Sequence, residues 1–258
     1  MGCSYHTAAQ RYQTDKLTEL AAKGEREKTF TVEINPQLDD EIDAALAMIE
    51  AGRSREGEKV IRAISKQYPT YHNVMYANGI VHLKKGKTGE ALECFNTAVE
   101  IFPPLTEAHF NIGSIYLKRN DIPGAVRAYK KVIEYGDPEE SYVRHAQETV
   151  LEIERKVREA EGVDLNTYLF GSDLFAKANE YMAEKKWQLA IDGFRKVLSL
   201  VPRHHQSLGN LGICHAMLGQ KKRAIEALDK ALELNPSYEF ALRNRSLIER
   251  LDEGEPLS

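Results

Sequence analysis

The sequence predicts an all-α protein built as a solenoid of antiparallel helix pairs. Two observations carry that expectation. Small residues, aromatic residues and prolines recur at an interval of 34 residues. Within each interval, two runs of apolar residues at helical spacing flank a short break rich in Gly, Asn, Asp or Pro.

The interval is plainest in the first half. Gly79 and Gly113, Ala91 and Ala125, and Phe95 and Tyr129 are each 34 residues apart. Further on, Gly212, Ala224, Leu228, Ala231 and Pro236 follow Ala178, Ala190, Phe194, Val197 and Pro202 by the same step. In TEAHFNIGSIYLKR, residues Ala108, Ile112, Ile115 and Tyr116 share a helical face; NDIPG interrupts it; Ala125, Ala128, Tyr129, Val132 and Ile133 resume it. A small residue in each helix lets the pair approach closely, and the aromatic ring fills the remaining space. Proline ends the second helix by removing a donor and restricting its predecessor. One pair cannot bury both of its faces, so each needs the next.

These residues resemble the tetratricopeptide repeat (TPR) family. Its 34-residue pattern has Gly or Ala at place 8, Tyr at 11, Ala at 20, Phe at 24, Ala at 27 and Pro at 32. The resemblance implies a right-handed superhelical solenoid of antiparallel helix pairs, with the first helix of each repeat lining a concave face.

Taken in order, residues 1–37 read as a short amphipathic helix, AAQRYQTDKLTELAAKGE, and an extended linker. Residues 38–139 hold three repeats, 38–71, 72–105 and 106–139. The first is degenerate: it keeps Ala45, Gly52 and Pro69 but has Gly57 where Ala is usual. Repeats 72–105 and 205–238 carry His82 and His215 in place of Tyr, and Asp137 stands where repeat 106–139 should have Pro. Residues 140–170 break the period. Val143, Ala146, Val150, Ile153 and Val157 mark one face of a long helix ending near 160. An irregular insert then carries an apolar patch of Leu165, Tyr168, Leu169 and Phe170. This segment either joins two subarrays or serves as a docking or self-association element. Residues 171–238 give two more repeats, 171–204 and 205–238. Residues 239–258 read as a capping helix, with Ala241, Leu242, Leu247 and Leu251 towards the array, and a mobile tail.

The resemblance also implies where a partner would touch. Family contacts at places 5, 6, 9, 12 and 13 correspond to Tyr76, Phe110 and Phe175; Asn111 and Asn210; Ile80, Ser114, Asn179 and Ile213; Met182; and Lys84, Lys118 and Met217. Aromatics at place 5 either line a groove for a bound peptide or helix or tuck against a neighbouring helix. The family's carboxylate clamp is incomplete here. Asn179 and Asn210 match it, but Phe175 replaces the clamp lysine, and Phe240 and Asn244 stand where cations are needed.

Composition narrows the classes. A net charge of −4 lacks the basic excess of a nucleic-acid binder. Cys3, Cys94 and Cys214 form no Cys-x-x-Cys pair, which fits a reducing, cytoplasmic setting and no structural metal. No apolar run is long enough to span a membrane. The opening Met-Gly-Cys is that of an acylated protein, yet His6 occupies the position where Ser or Thr is usual. Phosphate loops, nucleophile elbows and His-Glu-x-x-His are absent. The expectation is a non-catalytic interaction module without cofactor, taking a protein or peptide, with self-association as the alternative.

Overall fold

The computed structural model describes residues 35–257. The amphipathic helix expected near the start lies outside them. Twelve α-helices and no strand occur among the described residues: α1 Pro36–Glu50, α2 Ser54–Gln67, α3 His72–Lys84, α4 Thr88–Ile101, α5 Thr106–Lys118, α6 Ile122–Tyr135, α7 Ser141–Glu161, α8 Leu165–Ala183, α9 Trp187–Leu200, α10 His205–Met217, α11 Lys221–Leu234 and α12 Glu239–Glu249. Contacts divide the chain into two units, with the division inside α7 between Leu151 and Glu152.

In the first unit α1 pairs with α2, α3 with α4 and α5 with α6. The expected linker gives way to helix at Pro36, because the Asn35 side chain accepts from the Leu38 amide and proline suits the first helical turn. The close approach of paired helices is visible at Gly79 and Gly113. A Cβ on either would sit 2.5 Å from the Phe95 ring or 2.8 Å from the Tyr129 ring. The degenerate first repeat solves the same problem from the other helix: a Cβ on Gly57 would collide with the Ala45 carbonyl. Glycine at place 20 is therefore the contact itself rather than a departure from it.

A buried polar cluster ties the first repeat to the second. The Asp39 carboxylate is 3% exposed and accepts from the Tyr71 hydroxyl at 2.9 and 3.0 Å and from Asn73 Nδ2 at 2.7 Å. Those donors replace the water that burial removes. Val143, Ala146 and Val150 of α7 then pack on Ala125, Tyr129 and Val132 of α6.

In the second unit α8 pairs with α9 and α10 with α11, and α12 lies on α11. The irregular insert expected up to residue 170 is mostly helix. Asp164 accepts from the Asn166 and Thr167 amides at 2.9 and 3.0 Å, so the break shrinks to Gly162–Asp164 and α8 starts at Leu165. Trp187, at the start of α9, packs with Phe175 and Tyr181 around Ala178, Ile191 and Phe194. The cap buries Ala241 and Ile248, while Leu242 and Leu247 face outward. The tail expected to be mobile is docked. The Gly254 amide donates to the Gly219 carbonyl at 3.1 Å and the Leu257 amide to the Ala216 carbonyl at 3.0 Å.

All five turns within repeats use one device. Gly52, Gly86, Asn120, Lys185 and Gly219 share place 15 and have φ of 84°, 72°, 58°, 57° and 69°. This left-handed residue reverses the chain after the first helix.

Candidate peptide-binding surface

The place-5 aromatics are packed into their own repeats. Tyr76–Phe95, Phe110–Tyr129 and Phe175–Phe194 ring centroids each lie 5.7 Å apart. The ring on the first helix thus rests on the ring that fills place 24, a favourable tilted contact. Phe110 is also flanked by Tyr142 and His145 at 5.8 Å. Burial and the nearby Glu107 carboxylate push the Tyr76 phenol well above its ordinary range, while a hydrogen bond from Asn111 acts in the opposite sense. The same two causes raise Tyr142, whose hydroxyl pairs with Thr106 at 2.8 Å. These rings form walls rather than projecting freely.

Around them in the first unit, Ile80 joins the apolar cluster of Phe95 and Ile112. Ser114 Oγ lies 3.2 Å from the Tyr129 hydroxyl, and Lys84 and Lys118 are exposed. Asn111 Nδ2 donates to the Glu107 carbonyl one turn back at 2.8 Å. Tyr142, Glu107 and Thr106 were not among the residues expected from the pattern. Continuing the 34-residue register past 139 would have placed Tyr142 early in another first helix.

In the second unit the place-6 and place-9 amides meet. Asn210 Nδ2 on α10 donates to Asn179 Oδ1 on α8 at 2.8 Å. The bond joins the first helices of adjacent repeats and uses one group of each carboxamide. Both residues are half-buried, and the bond uses neither Asn179 Nδ2 nor Asn210 Oδ1. Met182 and Met217, on the same two helices, are partly buried against the apolar cluster of Leu208 and Ala216. Ile213 is only 8% exposed, so it belongs to that cluster rather than to an open surface. At place 5 of the same repeat, Gly209 leaves room for the Tyr238 ring, which would lie 2.9 Å from an added Cβ. The fourth aromatic is therefore supplied from outside α10, stacked edge-on against His205 at 4.9 Å.

The clamp cations have no counterpart at these positions. Phe240 is 37% exposed and Asn244 bonds to its own helix at the Phe240 carbonyl. Among the described residues no group of three or more His, Cys, Asp or Glu is placed to hold a metal, and no helix is long and apolar enough to cross a membrane.

Stacked two-helix repeats with left-handed turns and ring-on-ring filling define a class of repeat modules. Family models for the tetratricopeptide repeat match residues 42–106, 76–141 and 205–238, together just over half of the chain. The chain belongs to the tetratricopeptide repeat family, whose repeats serve as protein-interaction modules. The last match coincides with the repeat at 205–238 read from the sequence. Comparison with curated protein sequences finds no significant match. Among solved structures, the TPR domain of P58(IPK) aligns with 83% of this chain at 16% identity and a TM-score of 0.42, and the chain spans 65% of that domain. YrrB, a TPR protein with an unusual peptide-binding site, aligns over 90% of this chain and 97% of its own at 17% identity and a TM-score of 0.37. The TPR2AB domain of yeast Sti1, in complex with pHSP90, aligns over 83% of each chain at 18% identity and a TM-score of 0.37.

Proposed function

We propose that the chain is a non-catalytic cytoplasmic adaptor that binds an extended segment of a partner protein across the first helices of its repeats. The single observation that carries this reading is the Asn179–Asn210 pair. Two carboxamides fixed by one mutual bond present a donor and an acceptor at a set spacing, which is what a peptide backbone offers in return. Met182 and Met217, on the same two helices, give adaptable apolar seats. The ring contacts leave Tyr76, Phe110 and Phe175 the role of holding the first helices in place. The net charge of −4 favours a protein partner over nucleic acid.

Peptides selected from a displayed random library test the reading. Binding of the enriched peptides is expected to fall about tenfold in Asn179→Ala and in Asn210→Ala, the loss of one or two hydrogen bonds. Equal binding by wild type and both variants, with unchanged melting, would rule it out.

Self-association through residues 140–170 is the second reading, favoured by Leu151 at 65% and Phe170 at 58% exposure. Light scattering showing only monomer at high concentration would remove it.

A further inference from the structure

We propose that the C-terminal segment is a tethered ligand, and that the surface beneath it takes an acidic peptide that forms the same turn, from a partner protein, of the form acidic residue, glycine, two residues, then leucine.

The contact has the features of peptide capture rather than of a frayed end. Residues Gly254 and Leu257 lie three apart and donate to Gly219 and Ala216, which also lie three apart and run in the opposite sense. The Ala216 carbonyl, near the C-terminus of α10, accepts from the Gly219 amide at 3.0 Å and takes the Leu257 amide as a second donor, while the Gly219 carbonyl in the turn beyond takes the Gly254 amide. The Leu257 side chain joins the cluster of Ile213, Ala216 and Ala241. Glycine is demanded at 254 by its φ of 93°. Lys221 Nζ donates to the Glu249 carbonyl at 2.9 Å and also to that of Leu251, fixing the start of the segment.

Charge selects the partner. Asp252, Glu253 and Glu255 lie on the segment, where the Glu255 carboxylate accepts from the Asp252 amide at 2.9 Å, while Lys221, Lys222 and Arg223 occupy the first turn of α11. A crevice between Glu253–Gly254 and Gly219, Gln220, Lys222 and Arg223 separates the two. The crevice thus places Glu253 beside the basic first turn and N-terminus of α11. None of the groups that hold it belongs to the segment itself, so a like segment from another molecule competes for them. Tethering gives the chain's own segment a high effective concentration and keeps the surface closed until a competitor is abundant or the segment is released. The surface differs from the Asn179–Asn210 pair in its hydrogen-bonding groups but shares with it the apolar cluster that holds Met182 and Met217, and its test reads one peptide alone, whatever binds at the pair.

The experiment uses the full chain and a labelled synthetic peptide of residues 252–258, followed by fluorescence anisotropy. Gly254→Pro removes the amide donor and forbids the backbone angle; Leu257→Asp removes the apolar side chain that fills the seat. Both changes lie beyond the last helix. The peptide is expected to bind each variant saturably and at least tenfold more tightly than wild type, and more weakly as salt rises. Equal binding to wild type and variants, or no saturable binding to either variant, overturns the proposal. Should both variants lose their helical circular dichroism, amide exchange in the unaltered chain decides: protection at Gly254 and Leu257 is expected, and exchange at the unprotected rate overturns it.

Discussion

His204 caps α10 with its own ring. Its Nδ1 accepts from the Ser207 amide at 3.2 Å and lies 2.8 Å from the Ser207 hydroxyl. An amide N–H can only donate, so the ring is neutral at that nitrogen. Burial, with a smaller effect from His205, lowers its pKa to about 4. A histidine with a depressed folded pKa leaves stability untouched above the unfolded value near 6.5. Stability is then lost as pH falls towards 4, where the unfolded chain takes up the proton first. His204→Asn keeps a capping acceptor without the titration. Urea unfolding at pH 7 and pH 4 is expected to show a loss about 2–3 kcal/mol larger for wild type than for the variant. An identical loss would deny the ring this role. Burial likewise pushes the Cys214 thiol up to about 12, which leaves it an apolar filler rather than a nucleophile.

At the scale of the helix pair, the left-handed turn residue sets the hairpin. Lys185 has φ of 57° and carries a Cβ that this conformation disfavours. Lys185→Gly is expected to raise stability by about 0.5–1 kcal/mol in urea titration, partly offset by the freer unfolded chain. Asn120→Gly is the comparison, with a smaller gain because asparagine tolerates the region. Place 15 was readable as a turn wherever glycine stood, at Gly52, Gly86 and Gly219. Repeat boundaries and the glycine–ring contacts were legible for the same reason: each is a local residue type at a fixed interval. What escaped was non-local. The sequence left open whether the place-5 rings line a groove or tuck against a helix, because the pattern does not say that Tyr76 rests on Phe95. The void at Gly209 is filled by Tyr238, 29 residues away, with no periodic mark. The docked tail is held largely by backbone carbonyls, which leave no signature in residue identity.

At the scale of the molecule, each repeat is stabilised mainly by its immediate neighbours. The second unit, from Glu152 onward, contains its own apolar clusters around Phe194 and Leu228. A fragment of residues 152–258 is therefore expected to keep helical circular dichroism and to unfold in a single sigmoidal transition in urea. A coil-like spectrum for the isolated fragment would show that the clusters do not suffice.

The position of Trp187 has a practical result. It is the chain's one tryptophan, and it sits in the second unit against Phe175 and Tyr181. Red-edge fluorescence is thus a local gauge of that half, whereas far-ultraviolet dichroism sums every helix. Denaturation curves from the two signals will superimpose if both halves melt together and separate if one yields first, so the native chain carries its own reporter of cooperativity without any added dye.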